Sequence, residues 1–583
     1  MTKYRILPIG GGGVTPTGTL STTITENGTT TVDVAGYASI EVNVEVGAYE
    51  PDYLCFTANA DNTDIRISNV GGNTPNIEYS TDECETWTTW DYTDINLANE
   101  GDKVYFRGTN INGISKNTST YSTLYGDNYY SVTGDMGTLV RFDRKLDYMP
   151  SYCFYKLFYQ CYNIVSVEKI TDVDTLSPYC YQYMFSNCTH LTSAPELPAT
   201  NMGYSCYNNM FAHCTSLTTA PELPATNLDT YCYQSMFTNC QSLTAIPELP
   251  ATTLADYCYQ AMFSYCTALT IVPELPATNL GTYCYQFMFQ YCTALTTAPE
   301  LPATTLADYC YNYMFKNCTS LTTAPELPAT ALADYCYQYM FLDCTSLTTA
   351  PELPATTLTS GCYSYMFTGC TSLTTAPELP ATTLADYCYQ YMFLNCTSLT
   401  TAPELPATTL ANNCYQYMFQ YCTSLTTAPE LSATTLADYC YHGMFRECTS
   451  LTTAPELPAT TLDKNCYAYM FYGCTGLTTA PELPAINIES YCYTYMFYNC
   501  TSLTESPVIY AYEPGFNSMR YMFYNCSSLN KVTIYATLWS TNYTNAWLYG
   551  VASTGDFYNL GGATITADST SGIPSGWTEH TSL

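Results

Sequence analysis

The stretch Cys318–Cys344, CTSLTTAPELPATALADYCYQYMFLDC, returns almost residue for residue from Cys344 onward. Its closing cysteine stands at Cys188, Cys214, Cys240, Cys266 and Cys292 and then at every twenty-sixth position through Cys526. Only the first interval, Cys161 to Cys188, is one residue longer. Fifteen cysteines thus enclose fourteen coils. A fixed period in the twenties predicts a solenoid, in which no unit buries its own apolar face and each supplies a surface to the next.

Each coil divides in two. Leu321 to Pro328 reads as a short extended segment. Proline lacks the N–H for a ladder bond, so strand pairing is expected only over about Leu321 to Ala324. In the second half, Leu332, Cys336, Met340 and Cys344 fall at i, i+4, i+8 and i+12, the spacing of one helical face. Tyr337 and Phe341 form a second such pair. The predicted inward set is therefore Leu321, Ala324, Leu327, Leu332, Cys336, Met340, Phe341 and Cys344. The fold class expected is an α/β solenoid of the leucine-rich-repeat kind, with short parallel strands and helical or irregular segments.

The run Met-Phe-x-x-Cys-x-Ser-Leu followed by Leu-Pro resembles the BspA-type leucine-rich repeat, known from bacterial and phage surface proteins. Cys336, Met340-Phe341 and Cys344 fall on that family's apolar, Ala-Phe and Cys positions. The departures are Cys at the apolar position, Met for Ala, and the paired prolines. The likeness covers about residues 149–530, and what it implies is adhesion or recognition and no chemistry.

The 31 cysteines invite a disulfide reading that their spacing resists. Cys336 and Cys344 lie roughly 12 Å apart on a helix, whereas a disulfide needs Cα atoms within about 7 Å. Seven residues intervene where metal sites favour two to four. Buried, reduced thiol ladders are the favoured reading; cross-coil disulfides, and a Cys55–Cys84 pair, stay open. The histidines His190, His213 and His442 lie near cysteines but at shifting positions, as surface drift would produce. No catalytic, cofactor or metal residue is assigned.

Two columns are candidate surfaces. Twelve glutamates from Glu196 to Glu482, among them Glu274, Glu300, Glu326, Glu352 and Glu378, stack roughly 5 Å apart if the coils pair as strands. A solvated stripe is the simpler reading, and divalent cations bridging like charges is the other. The 60 tyrosines sort by column. The position after the first cysteine is Tyr from Tyr181 to Tyr493, which suggests packing. The position before it (Tyr309, Tyr335) and the position three after it (Tyr313, Tyr339, Tyr365, Tyr391) drift to Asn, Ser and Gly, which suggests exposure. Exposed tyrosine suits contacts to sugar or protein; decoration of a convex surface is the plainer alternative.

The ends differ. Residues 1–48 hold a Gly-rich lead, expected to be flexible, and an ITENGT…VDVAGYASIEVNV stretch whose alternation predicts a β-hairpin; it resembles a segment near the start of phage fibre and structural proteins. Residues 49–148 read as short strands of a sandwich-like domain. From Lys531 to residue 583 the repeat breaks into a C-terminal cap. The opening Met1–Ile9 is too short and apolar-poor for a signal peptide, and no run approaches about 18 apolar residues. With 50 acidic against 16 basic residues, net charge −34, the chain is ill suited to nucleic acid or an anionic membrane.

Taken with the resemblances, these features imply a virion protein: a tail or head fibre or decoration. Its N-terminal region would join other virion proteins, and its coils would meet bacterial surface glycan or protein. A homo-oligomer fits the same reading. A bacterial cell-surface adhesin and a ligand-free spacer are the alternatives.

Overall fold

The computed structural model describes residues 28–32, 40–44, 51–565 and 571–583. In the coil through Tyr335–Cys344, backbone N–H groups alternate between two kinds of partner. Those of Tyr335, Tyr337, Tyr339, Phe341 and Asp343 donate to carbonyls of the next coil (Ser360, Cys362, Ser364, Met366, Thr368) at 2.8–3.0 Å. Those of Gln338, Met340, Leu342 and Cys344 donate three residues back, at 3.1–3.2 Å. Each such bond closes a β-turn. Every fourth residue is left-handed: Tyr335 (φ 56°), Tyr339 (58°) and Asp343 (58°). The same columns carry positive φ from Tyr179, Tyr183 and Asn187 to Asn517, Tyr521 and Asn525.

The helical segment expected over Leu332–Cys344 is therefore a run of turns. The physical reason lies in the strict interval of four. On an α-helix four residues turn through about 400°, so a row at i, i+4, i+8 and i+12 drifts by about 120°. A four-residue turn period has no such drift and keeps Cys336, Met340 and Cys344 on one inner line, all fully buried. Among the described residues the one α-helix is Thr541–Thr544 in a terminal coil.

The extended half pairs sparingly. Thr323 bridges Thr297 and Thr349 in parallel, and the Thr322 N–H and hydroxyl both donate to the Thr296 carbonyl, at 3.2 and 3.3 Å. Pairing stops through Pro325–Pro328, as proline requires. It resumes once more beyond the second proline, at Thr305 with Ala331 and Thr357 with Thr383, which the sequence pattern did not announce. Leu321 and Leu327 are buried as expected; Ala324 and Leu332 are only half-buried, and Ala329 joins the core instead.

Inside, like residues stack on like. Tyr337 lies on Tyr363 at 5.8 Å and Phe341 on Phe367 at 5.5 Å, each within 5° of parallel. The Cys344 thiol donates to the Phe315 carbonyl at 3.0 Å, an oxygen that also accepts the Cys318 N–H at 3.1 Å. The same bond recurs from Cys188 to Cys526. It gives the column a reason to be Cys: a small apolar side chain that also donates. All thirty-one cysteines are free thiols, Cys55 and Cys84 included.

At the N-terminal side, β1 (Gly28–Val32) and β2 (Ile40–Val44) pair antiparallel, the pairing expected of a hairpin there; the glycine run at 10–13 lies outside the described residues. Next come β3 (Leu54–Ala58), β4 (Thr63–Val70), β5 (Ile77–Ser80), β6 (Thr88–Thr89), β7 (Ile95–Leu97), β8 (Lys103–Gly108), β9 (Tyr121–Gly126) and β10 (Tyr130–Thr133), followed by β11 (Ile164–Val167) from the first coil. They form a sheet of order β11-β10-β3-β8-β5-β6 and a smaller one of order β7-β4-β9. The β10–β11 pair is parallel. The Leu124 N–H donates to the Leu157 carbonyl at 2.7 Å, and the Cys161 thiol donates to the Leu124 carbonyl at 3.1 Å. Strand β9 thus stands where a preceding coil would stand, and capping is continuous across residue 148.

At the other end, β12 (Asn487–Ile488), β13 (Glu505–Ile509), β14 (Glu513–Pro514), β15 (Lys531–Ile534), β16 (Gly555–Asn559) and β17 (Trp577–His580) include a parallel sheet of order β13-β15-β16-β17. The break expected at Lys531 is one of residue identity, since β15 pairs with β13 and the Phe523 N–H still donates to the Trp547 carbonyl at 2.9 Å. Trp547 closes the phenylalanine column, 6.2 Å from Phe523, and its Nε1–H donates to the Gly572 carbonyl at 3.1 Å.

Candidate binding surface

All six tyrosines singled out from the sequence (Tyr309, Tyr313, Tyr335, Tyr339, Tyr365 and Tyr391) are left-handed residues, φ 55–58°. A bulky residue there is uncommon, and Gly and Asn are favoured. The drift in these columns to Gly361, Gly443, Asn413 and Asn465 is therefore a record of backbone geometry as well as of exposure. That signal was present in the sequence.

The six are half-buried, and what half-buries them is each other. Tyr231, Tyr257, Tyr283, Tyr309 and Tyr335 stack at 4.6–4.9 Å. Phe287, Tyr313, Tyr339, Tyr365, Tyr391 and Tyr417 stack at 4.3–4.9 Å. Ring faces inside these ladders are covered by neighbouring rings, leaving edges and hydroxyls to meet a partner. Burial pushes the Tyr391 phenol up to about 12, and neighbouring tyrosines add to it. The ladders end at glycines: a Cβ on Gly361 would lie 2.4 Å from the Tyr335 ring, and one on Gly443 2.3 Å from Tyr417.

Glu274, Glu300, Glu326, Glu352 and Glu378 are all exposed. Among the described residues none of them makes an ion pair, and no group of three or more His, Cys, Asp and Glu side chains is arranged to hold a metal. Glu274 Oε2 instead accepts the Glu300 N–H at 3.2 Å. Between stacked Pro-Glu-Leu-Pro segments lie shallow grooves, one of 410 Å³ with Glu326 and Glu352 set among Pro325, Pro328, Pro351 and Pro354.

The histidines serve locally. His190 Nδ1 lies 2.7 Å from the Tyr162 carbonyl, and His213 Nδ1 2.9 Å from Asn239 Nδ2. His442 is buried, with Nε2 2.9 Å from the Tyr417 hydroxyl. The repeat pattern does not single out the cations. Lys156, Lys316, Arg446 and Arg520 all lie over tyrosine rings, a pairing that column-by-column reading does not reveal.

The model of the BspA type leucine-rich repeat region, in six copies, matches residues 138–244, 234–351, 334–478 and 441–545. The chain belongs to the BspA-type leucine-rich-repeat family. No curated protein sequence matches this BspA-type chain. Among solved structures, it is similar to a leucine-rich repeat protein from Eubacterium ventriosum, at 15% identity and TM-score 0.25, over 69% of this chain and 86% of that one. It is also similar to the TLR13–ssRNA13 complex, at 11% identity and TM-score 0.21, over 71% of this chain; there it spans 60% of the other chain. Among the described residues no helix is long and apolar enough to cross a membrane.

Proposed function

We propose that this BspA-type protein is a non-catalytic recognition protein whose stacked coils form a solenoid that engages molecules of a bacterial surface. The observation that carries the reading is the pair of outer tyrosine ladders. They repeat a row of ring edges and hydroxyls coil after coil, and no repeated column brings a nucleophile and a base together. BspA-type proteins are surface-associated, and the hydroxyl rows suit hydrogen bonding to glycan or protein. The proposed carrier is a phage virion, with residues 1–48 as the segment that attaches to other virion proteins and residues 49–148 as a sandwich-like domain. The repeat family fits a bacterial cell-surface adhesin equally well.

The full-length protein, labelled and added to intact host cells, should bind saturably. Loss after periodate treatment assigns a glycan, loss after protease assigns a protein, and loss in EDTA gives the glutamate stripe a cation. Absence of binding to every permissive host overturns the recognition reading in favour of a ligand-free spacer. Immunogold labelling of virions against cell envelopes separates the two carriers.

A further inference from the structure

The outer columns change character in the last coils. A column that varies among Lys316, Leu342, Thr368 and Gln420 becomes Arg446, Tyr472, Tyr498 and Tyr524. Two tyrosine ladders then run side by side. Tyr469, Tyr495 and Tyr521 stack at 4.7 and 4.8 Å, and Tyr472, Tyr498, Tyr524 and Tyr549 stack at 4.6–4.9 Å. The ladders touch edgewise, Tyr495 with Tyr498 and Tyr521 with Tyr524 both at 5.6 Å.

Two arginines bracket this doubled patch. The Arg446 guanidinium lies 4.7 Å from the Tyr472 ring and that of Arg520 4.8 Å from Tyr521. Arg66, Arg107 and Arg141 all pair with carboxylates; among the described residues Arg144, Arg446 and Arg520 pair with none. Arg144 is exposed, whereas Nε of Arg446 and of Arg520 is buried without a hydrogen-bond partner, and Arg520 Nη2 donates to the Tyr521 hydroxyl at 3.4 Å. The adjacent Glu447 carboxylate lies over Gly473, where a Cβ would meet it at 2.5 Å, and makes no ion pair with Arg446. Burial raises the Tyr469 phenol, and both arginines hold it back. Along the stack they stand roughly 14 Å apart, about three steps of ~4.8 Å.

Two half-buried guanidinia without a carboxylate partner are conspicuous in a chain of net charge −34. A guanidinium binds carboxylate or phosphate in a fork, and tyrosine edges hydrogen-bond a polyhydroxylated chain. The surrounding negative field opposes dense polyanions and favours a ligand with few charges. We propose that the doubled tyrosine ladder binds a short sugar chain carrying carboxylates or phosphates, one anion held by Arg446 and another by Arg520. The proposal rests on the recognition reading above and names its ligand class.

The full chain is titrated calorimetrically with trigalacturonate, with maltotriose phosphorylated at O6 of both terminal residues and with neutral maltotriose. At least one anionic trisaccharide should bind about tenfold more tightly than maltotriose, and R446Q and R520Q should each weaken it by about tenfold at an unchanged melting temperature. R144Q, at an exposed arginine outside the coils, should change nothing. Equal binding of maltotriose, indifference to both arginine variants, or no binding of any of the three overturns the proposal. So does oligodeoxythymidine or polyaspartate binding at these arginines where no sugar does. Cells bound equally by wild type and R446Q/R520Q overturn this site alone; trisaccharide binding without cell binding overturns the recognition reading alone.

Discussion

His442 occupies the column held by Gln390 and Gln416, whose side chains hydrogen-bond one another at 2.5 Å. Its ring closes the gap that Gly443 leaves in the outer ladder, 5.0 Å from Tyr417 and 5.4 Å from Tyr469. Burial lowers its pKa to about 4, with Arg446 contributing. An unfolded histidine takes up a proton near pH 6.5; this folded one resists until about 4. The contribution is therefore whole above pH 6.5 and drains away as pH falls toward 4, at up to about 1.4 kcal/mol per pH unit. Melting of wild type against H442Q should show a constant difference above pH 7 and a relative loss for wild type at pH 4.5; parallel curves would show that the imidazole is not shielded. Gly443 supplies a second test. Ala261 holds the same column at φ 53°, so the backbone tolerates alanine, yet a Cβ at Gly443 would strike Tyr417 at 2.3 Å. G443A should therefore cost about 1–3 kcal/mol through the displaced ring, and A261G should change the melting temperature little.

At the scale of the element, the run of turns explains the thiols. Thirty of the thirty-one cysteines are buried and Cys84 alone is half-buried. Burial raises the Cys161 thiol to about 12 and drives Cys344 well above its usual value, so hardly any thiolate exists at pH 8. Ellman's reagent should modify about one thiol in the native protein and all thirty-one in denaturant; rapid native reaction of many thiols would mean that coils open readily. The inner columns were legible because Cys336, Met340, Phe341 and Cys344 keep their identity from coil to coil. The backbone between them was not, because spacing by four suits both a helix and a chain of turns over two repeats. What separates the two is the company at every fourth outer position: Gly361, Gly369, Gly443, Gly473, Asn413 and Asn465 mark positive φ. Read as surface drift, that pattern gave exposure and missed conformation. The arginine–tyrosine patch was less legible still, since Arg446 and Tyr472 belong to neighbouring coils and meet only through stacking.

For the whole molecule, the extent of the stack followed from the period, while its closure did not. Capping at β10–β11 and at Trp547 works through backbone pairing and single large side chains, which no periodicity reports. The same logic sets what the stack tolerates. The extra residue of the first coil falls in its extended half, where Lys169 bridges Glu196 at a separation of 27 and Thr175 bridges Asn201 at 26. The turn half has no such slack. There, N–H groups alternate strictly between the next coil and three residues back, so losing one residue reverses the alternation and moves left-handed geometry onto core positions. Removal of a whole coil, Thr371–Cys396, preserves every column and should leave circular dichroism per residue unchanged and melting within a few degrees, as nearest-neighbour coupling implies. Deleting Gln338 alone removes far less chain but disrupts the five cross-coil bonds from Tyr335 to Asp343, a loss of the order of 5 kcal/mol at about 1 kcal/mol each. Hydrogen exchange should then rise sharply in that coil and the two beside it. If the single deletion proves milder than the 26-residue one, the stack is held by its side-chain columns, and the alternating backbone register merely follows them.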